Sequence, residues 1–393
     1  MKAGWEVRPL GEVVERIETI DPTKTPTEHF IYVDVSSVSN ETFEITQTTE
    51  VLGSDAPSRA RRLIRTNDVI FATIRPTLKR IATVPVSLDQ QVCSTGYMVL
   101  RVLPKLHPRF LFHYLFNDRF QTALEQLQSG ASYPAVTDRQ VRQQPIPLPP
   151  LEEQERIVAI LDEALEGLAR ARTHAEANLQ DARELFESIK ANALDYNGPD
   201  RKTVVLCDVA EVTSGLVDPR EAAYADMPHI GAGNMITGSD ELVGVMTARE
   251  EKLISGKYLF DETMVLYSKI RPYLRKAARP DFGGLCSADV YPVKPVNAGL
   301  DRDFLFHLLL GHDFTEYAIQ GSDRAGMPKV NRNHMFAYSF DLPPLEEQQK
   351  IAKVIDAAHI ECQQLAELAN AKLQSLDALR QSLLQKAFAG ELT

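Results

Sequence analysis

The chain has 393 residues, which suggests two or three domains. With 44% hydrophobic and 25% charged residues, its composition is ordinary for a globular protein and excludes bulk disorder. No apolar run approaches the roughly 20 residues needed to span a bilayer, and the first residues form no apolar signal segment, so we expect a cytoplasmic protein. The cysteines lie far apart and predict neither a disulfide framework nor a zinc site: Cys93, Cys207, Cys286 and Cys362.

The net charge of −11 argues against a nucleic-acid-binding surface that is basic throughout. The charge is uneven, however. Residues 148–198 hold 5 basic and 11 acidic residues, whereas residues 1–147 hold 17 and 16. Local basic clusters are therefore available in the larger segments.

Residues 1–147 (domain 1) have the pattern of a mixed α/β domain, or α+β, with a substantial sheet. Short β-branched runs at residues 31–35 and 69–74 predict buried strands, and turn residues separate them. Residues 108–128 give the clearest helical pattern. Between the two strands lies a basic cluster of Arg59, Arg61, Arg62 and Arg65, of which the first three are candidate DNA contacts.

A basic turn follows the second strand. Pro76 breaks the strand, so the polar residues around it cluster on a loop, where functional residues concentrate. Arginine can pair bidentately with guanine or phosphate, and lysine can neutralise phosphate. The alternative is an ordinary solvated turn. The candidate DNA contacts are Arg75, Thr77, Lys79 and Arg80.

The loop at residues 129–139 is a further candidate. Its small residues would let the backbone approach a ligand, and its polar residues could contact phosphates or base edges. An alternative with equal weight, which does not exclude the first, is a helix start capped by Thr137. The candidate DNA contacts are Ser132, Tyr133 and Arg139.

Residues 148–198 predict a long helix. Pro150 suits its first turn and the following acidic pair suits the positive end of the helix dipole, while residues 197–199 (NGP) end it. Apolar residues recur at 3-4 spacing, which is typical of a coiled-coil seam about 63 Å long. The predicted seam residues are Val158, Leu161, Leu165, Leu168 and Leu179.

The rest of the chain repeats this plan about 194 residues later. The heptapeptide LPPLEEQ at residues 148–154 returns at residues 342–348, and FLFH at residues 110–113 returns at residues 304–307. The order of the matches is the same in both halves, which indicates two copies of one unit. Residues 199–341 (domain 2) therefore repeat domain 1, and residues 342–393 form a second helix with predicted seam residues Ile355, Leu373, Leu376 and Leu383.

The basic turn also returns, which favours a function in DNA binding over a solvated turn. The arginine cluster does not return, because residues 249–252 read REEK, and this suggests that the two halves read different sequences. Asn331 is here the alternative helix cap. The candidate DNA contacts in domain 2 are Lys269, Arg271, Tyr273, Arg275, Lys276, Arg324, Lys329, Asn331, Arg332 and Asn333.

A lone helix with such an apolar seam would be unstable in water, so we expect the two helices to pair. The repeat favours an antiparallel pair with one domain near each end. The polar seam residues Arg172, His359 and Arg380 would fix its register. The alternative is that each helix packs only on its own domain.

Catalytic signatures are missing from the sequence. It contains no phosphate-binding loop, no GxSxG or HExxH motif, and neither the cofactor site nor the Asn/Asp-Pro-Pro-aromatic motif of an amino-methyltransferase. His307 and His312 with Asp303 and Asp313 could form a metal site. The apolar helical pattern around His307 instead favours a packed histidine, so we predict no metal site.

The duplicated motif LPPLEEQ is followed by Ile157, Leu161 and Asp162 in the first copy and by Ile351, Ile355 and Asp356 in the second. Together with the long helices and the C-terminal residues 385–392 (QKAFAGEL), this pattern resembles the DNA-specificity (S) subunits of type I restriction–modification systems. The resemblance covers the whole chain.

The resemblance implies a non-catalytic subunit whose two domains each recognise half of a bipartite site in double-stranded DNA. Because the two domains differ in sequence, we expect an asymmetric target with two different half-sites. It implies helices that set the spacing and hold two modification (methyltransferase) subunits, which methylate adenine at N6. S-adenosylmethionine and ATP/Mg would bind the modification and restriction subunits, not this chain, and no membrane is involved.

A second hypothesis is a non-catalytic coiled-coil scaffold that spaces two protein-binding domains. The paired basic turns favour the specificity subunit, whereas the net acidity mildly favours the scaffold.

Overall fold

The computed structural model describes residues 2, 4–130, 133–212, 215–296, 299–322 and 327–392. The chain divides into two compact units, of which unit 1 comprises Met1–Glu176 with Ala371–Thr393 and unit 2 comprises Ala177–Asn370. The helices are α1 (Pro108–Tyr114), α2 (Asp118–Gln126), α3 (Asp138–Arg142), α4 (Leu151–Leu194), α5 (Leu206–Val209), α6 (Arg302–Leu309), α7 (His312–Gln320), α8 (Arg332–Phe336) and α9 (Leu345–Ala389).

In unit 1 the strands form small sheets in the orders β1-β9, β3-β2-β7-β4 and β6-β5-β8. Strand β2 runs parallel to β7, and the other neighbouring strands run antiparallel. The strands are β1 (Glu6–Pro9), β2 (His29–Val33), β3 (Thr49–Leu52), β4 (Ala60–Leu63), β5 (Val69–Ala72), β6 (Ile81–Thr83), β7 (Val92–Ser94), β8 (Tyr97–Leu100) and β9 (Pro145–Leu148).

In unit 2 the sheet orders are β10-β20, β11-β19-β16-β17 and β12-β15-β18-β13-β14. Here β13 and β18 form the parallel pair. The strands are β10 (Lys202–Val205), β11 (Ala210–Glu211), β12 (Leu216–Val217), β13 (Pro228–Ile230), β14 (Met246–Thr247), β15 (Lys257–Phe260), β16 (Val265–Ser268), β17 (Ala277–Ala278), β18 (Gly284–Cys286), β19 (Val290–Pro295) and β20 (Ser339–Leu342).

The central strand of each domain is buried on both faces. Successive residues of a strand point to opposite sides, and accordingly Val69 and Phe71 of β5 join one apolar cluster while Ile70 and Ala72 join another. Strand β16 repeats this arrangement. The prediction of a mixed α/β domain is confirmed, although the sheet is divided into smaller sheets because most strands are only two to five residues long.

The helical pattern at residues 108–128 corresponds to two helices rather than one. The chain turns at Asn117, whose side chain accepts a hydrogen bond from the backbone N–H of Arg119 and so caps α2. The same break separates α6 from α7 in domain 2.

The long helices begin directly after the repeated prolines. The carbonyl of Pro150 accepts hydrogen bonds from the backbone N–H groups of Glu153 and Gln154, and Pro344 does the same at the start of α9. The prolines therefore lie one position before the first helical residue. Gly390 follows α9 with a positive φ of 79°, as expected for a helix C-terminus.

The predicted seam residues lie on the shielded side of both helices. Val158, Leu161 and Ile355 are buried, and the other six seam residues are half-buried. In unit 1, Val158 and Leu161 of α4 share an apolar cluster with Leu384 and Phe388 of α9. The start of α4 thus packs against the end of α9, so the two helices are antiparallel.

The polar seam residues differ in their contacts. Arg172 forms a cross-helix ion pair with Asp377 at 2.7 Å, and the ring of His359 lies 5.1 Å from that of Phe186 on α4. The guanidinium of Arg380 instead lies over the ring of Phe43 in domain 1. The helices therefore pair with each other, and the alternative that each helix packs only on its own domain is wrong; α9 also contacts domain 1.

Candidate nucleic-acid interface

The basic turn has the same backbone conformation in both domains. Arg75 and Lys79 flank a short 3-10 helix, Pro76–Leu78, and have φ values of 49° and 50°. Arg271 and Arg275 flank the helix Pro272–Leu274 with φ values of 49° and 47°. Such left-handed conformations cost non-glycine residues about 1–3 kcal/mol each, so their repetition indicates that the shape of the turn serves a purpose.

In each domain the structure joins this turn to another loop, which is the predicted loop at residues 129–139 in domain 1 and its counterpart around Pro328 in domain 2. The backbone N–H of Arg75 donates to the carbonyl of Pro134 at 2.7 Å, and that of Arg271 donates to the carbonyl of Pro328 at 2.8 Å. Ile74 and Ala135 also form a β-bridge. Two segments that the sequence presents separately therefore form one surface in each domain.

This surface carries exposed side chains suited to nucleic acid. In domain 1 the guanidinium of Arg75 lies 5.0 Å from the ring centre of Tyr133, which is 70% exposed. In domain 2 the exposed residues include Arg271 and Tyr273, which is 51% exposed. The exposed side chains on this surface are Arg75, Thr77, Tyr133, Arg139, Arg271, Tyr273, Asn331, Arg332 and Asn333.

Arg80 and Lys276 point into their own domains. The Nη1 of Arg80 donates to the carbonyls of Val35, Ser36 and Val38 at 2.8–3.1 Å. The Nζ of Lys276 donates to the carbonyl of Ala232 at 2.8 Å. In both domains this residue binds a neighbouring loop.

Arg275 is also engaged within its unit. Its Nη2 lies 2.9 Å from the carboxylate of Glu187 on α4, and its Nε donates to the carbonyl of Leu310. Lys79 is the equivalent residue of domain 1 and is half-buried. The two turns therefore use their last left-handed residue differently.

The arginine cluster of domain 1 is split by ion pairs. Arg61 lies 3.3 Å from Asp21, and Arg62 lies 2.7 Å from Asp138 at the start of α3. Arg59 is exposed. The roles of all three in DNA contact stay predictions.

Domain 2 has a cluster of charged side chains beside its turn that has no counterpart on the equivalent strands of domain 1. Lys269 and Lys329 both pair with Asp289, at 3.8 and 2.7 Å respectively. Burial, with the neighbouring Lys329, lowers the pKa of Lys269. By the register of the strands, Thr73 and Gly96 occupy the places of Lys269 and Asp289 in domain 1.

The loop residues also start a helix, as the alternative interpretation predicted. Thr137 accepts from the backbone N–H of Gln140, and Asn331 accepts from that of His334. The guanidinium of Arg332 donates to the carbonyl of Val212. The predicted contacts Ser132 and Arg324 lie outside the described residues.

Each domain is attached to its helix by a buried glutamine that was not among the predicted residues, although the repeated motif contained the signal. Gln154 is fully buried. Its side chain accepts from the backbone N–H of His107 and donates to the carbonyls of Lys105 and Pro149, at 2.8–2.9 Å. Gln348 makes the equivalent bonds in unit 2. The motif thus attaches the helix start to the domain that precedes it.

His307 is a packed residue, as predicted from its helical pattern. It is buried and bonds to Asp356 at 2.9 Å. Within the described ranges, no group of three or more histidine, cysteine or acidic residues is placed to hold a metal ion. Nor does any helix in those ranges have the length and apolar character required to cross a membrane.

The comparison with known families defines the class of protein. The profile of the type I restriction modification DNA specificity domain matches residues 2–175 and again residues 200–374. The chain therefore belongs to this family and carries two tandem copies of the domain.

The chain is also similar to individual specificity subunits. The chain is 34% identical to the specificity subunit of type I restriction enzyme EcoDI from Escherichia coli over 185 residues, which cover 47% of this chain and 40% of that protein. It is 20% identical to the StySPI specificity subunit from Salmonella potsdam over 328 residues, which cover 77% and 69%. The first match thus spans about two fifths of the length of the relative.

Solved structures match over almost the full length. One comes from work on complex assembly and conformational transition of the type I R-M system; the TM-score is 0.86 at 30% identity, with 100% of this chain and 99% of that chain covered. The HsdS subunit from Thermoanaerobacter tengcongensis matches with a TM-score of 0.68 at 31% identity, covering 99% and 98%.

Proposed function

We propose that this chain is the non-catalytic DNA-specificity subunit of a type I restriction–modification complex. Each domain reads one half of a bipartite site in duplex DNA. The observation that carries the proposal is the basic turn, which recurs in the same strained conformation in both DNA specificity domains. Its exposed arginines supply the phosphate or guanine contacts that such recognition requires.

The two half-sites differ in this proposal. Around the same turn, domain 1 has Tyr133 against Arg75, whereas domain 2 has Tyr273 beside Arg271 and the lysines that share Asp289. Base edges are read by side chains, so different side chains on one backbone shape imply an asymmetric target.

The partners are two modification subunits and the restriction subunits of the complex. The long helices suit contacts with these proteins, because residues 148–198 are acidic and would repel DNA. S-adenosylmethionine and ATP/Mg bind to those partners in this proposal. The modification subunits transfer the methyl group to N6 of adenine, and this chain supplies position and specificity.

The salt dependence of duplex DNA binding, measured with the modification subunits present, tests the proposal. Each cation that contacts a phosphate contributes about 0.9 to the slope of log K against log salt. We expect a steep slope that becomes shallower by about 2 in the double variant Arg75→Glu/Arg271→Glu.

The matched control is Arg8→Glu/Arg201→Glu, which reverses one exposed arginine within strand β1 and one just before strand β10 and should leave the slope unchanged. Binding without salt dependence, or an equal change in both double variants, would contradict the proposal. The scaffold hypothesis predicts that result.

A further inference from the structure

Asp162 and Asp356 hold the same place in the two copies of the repeated motif, eight residues after the buried glutamines Gln154 and Gln348. In unit 1 the carboxylate of Asp162 on α4 accepts from Nε2 of His113 on α1 at 2.7 Å. Nη2 of Arg109 lies 3.0 Å from the same oxygen. The helix is thereby held to the domain by two charged or polar side chains.

Unit 2 has the same arrangement around Asp356. Nε2 of His307 on α6 donates to its carboxylate at 2.9 Å, and the guanidinium of Arg279 makes two hydrogen bonds to it at 2.5 and 3.0 Å. Asp240 and Asp303 also pair with Arg279, at 3.0 and 3.2 Å.

The arginine of this cluster comes from different parts of the two domains. Arg109 precedes the FLFH sequence on α1, and the repeat puts Asp303 at that position in domain 2. Arg279 instead follows strand β17. Nevertheless the two guanidiniums lie over equivalent rings, 4.6 Å from that of Phe112 and 4.7 Å from that of Phe306.

A solvated ion pair contributes little to stability, so a domain that lacks one needs no substitute for it. Domain 2 has an aspartate at the position that corresponds to Arg109, yet another arginine occupies the same place over the ring. The arrangement of aspartate, histidine and arginine is therefore retained through two different sequences, which points to a requirement for its geometry.

Its position explains this requirement. Eight residues of helix separate the glutamine from the aspartate, or about 12 Å along the axis. The apolar core joins the start of the helix to the domain without a fixed hydrogen-bond geometry, whereas two polar attachments at this distance fix the direction of the domain on the helix.

We propose that Asp162 and Asp356 are positioning residues for target recognition, which set the angle at which each domain leaves its helix and thereby the spacing between half-sites that the complex accepts. This inference rests on the proposed function. The aspartates touch no DNA; they act through the orientation of the domain that does.

The test uses the complete complex with its modification subunits. Methylation rates are compared on duplexes with the native spacer and with spacers one base pair shorter or longer, and on duplexes with one altered half-site. For Asp162→Asn and Asp356→Asn we expect the preference for the native spacer to fall at least about fivefold, because small misplacements of reacting groups are costly. Discrimination between half-site sequences should stay within twofold of the unchanged protein.

Asp181→Asn is the matched control, since Asp181 is exposed on α4 and makes no hydrogen bond or ion pair among the described residues. Arg109→Met is a second variant, which keeps an apolar contact over Phe112 and should lower the spacer preference in the same direction. It keeps the test decisive if an aspartate variant fails to fold.

Methylation that falls equally on every duplex, with the spacer preference intact, would overturn the inference, because a merely structural role predicts that result. If the unchanged complex shows no dependence on half-site sequence, the proposed function itself fails, and the inference fails with it.

Discussion

The two domains use one turn in two chemical surroundings. In domain 1 an exposed Tyr133 lies against Arg75, and the neighbouring strand ends carry Thr73 and Gly96. In domain 2 the corresponding strand ends carry Lys269 and Asp289. The backbone shape is the same, but the charges presented beside it differ.

This difference distinguishes the features that hold each domain in place from those that set the sequence it recognises. The features that the two domains share attach the domain to its helix or shape the turn, as Gln154 and Gln348 do. Several features that differ lie beside the turn, as Tyr133 in domain 1 and the pair Lys269 and Asp289 in domain 2 do. A duplicated unit can therefore change its target while its attachment to the helix stays constant.

The largest effect is expected from charge reversal in the turn. Arg75→Glu should lower the rate of methylation of the complete site by about 100-fold, because one half-site is no longer recognised. The substitution removes a contact worth about 1–3 kcal/mol and adds repulsion. Arg271→Glu should do the same for the other half-site. Methylation assays on duplexes with each half-site altered in turn would measure both.

The control variants are Arg8→Glu and Arg201→Glu, which should leave both half-sites recognised. Loss of the same half-site in the Arg75 and Arg271 variants would contradict the assignment of one domain to each half.

The next largest effect is expected from the buried glutamines that attach each domain to its helix. Gln154→Ala and Gln348→Ala should each lower the free energy of unfolding by about 1–3 kcal/mol, because each leaves buried polar groups unpaired. Urea denaturation followed by circular dichroism would measure the losses. Exposed Gln180→Ala should change stability by less than about 0.5 kcal/mol.

Losses of stability that differ greatly between Gln154→Ala and Gln348→Ala would contradict an equivalent role for the two glutamines, whose side chains make equivalent hydrogen bonds.

A smaller effect should distinguish the domains. Asp289→Asn removes the negative charge that Lys269 and Lys329 share, so the slope of log K against log salt for DNA should become steeper by about 0.9, one phosphate contact. Asp281→Asn, at an exposed residue with no ion pair among the described residues, is the control. An unchanged slope in Asp289→Asn would exclude these lysines from DNA contact.

The smallest effect is a dependence on pH that both domains share. Burial lowers the pKa of His113 and of His307 below the usual value near 6.5, although each bonds to an aspartate. The neutral form is favoured in the folded state, so stability that is fully present above pH 6.5 is lost as the pH falls below that value and through the lower pKa of the folded protein. Unfolding measured between pH 7.5 and 5.5 should show this loss.

The stability of His113→Gln should depend less on pH over this range. The stability of the control His174→Gln, at an exposed residue of α4, should depend on pH as that of the unchanged protein does. Stability that rises on acidification would contradict the prediction. Asp162 contributes only at lower pH: burial would raise its pKa, but the bonds from His113 and Arg109 lower it to about 2.

The sequence predicted the parts of the fold that depend on local pattern. The duplication, the seam of α4 and α9 and the caps Thr137 and Asn331 follow from spacing and residue type, and the structure confirms them. The break at Asn117 had a local signal too, in the Asn-Asp pair that starts α2.

The sequence could not predict where long side chains bind. Arg80 reaches carbonyls some 42 to 45 residues away, and Arg275 reaches Glu187 at a separation of 88 residues. Such partners are fixed by tertiary packing, so a basic turn in the sequence contains both surface arginines and structural ones. For the same reason, the sequence could not show that Arg279 takes the place beside Asp356 that Arg109 has beside Asp162.

The most direct test is sequencing of modified bases in the host genome, with the gene for this chain intact and disrupted. We expect that one bipartite, gapped motif with two different half-sites loses its N6-methyladenine when the gene is disrupted. An unchanged set of methylated sites would contradict the assignment of sequence recognition to this chain.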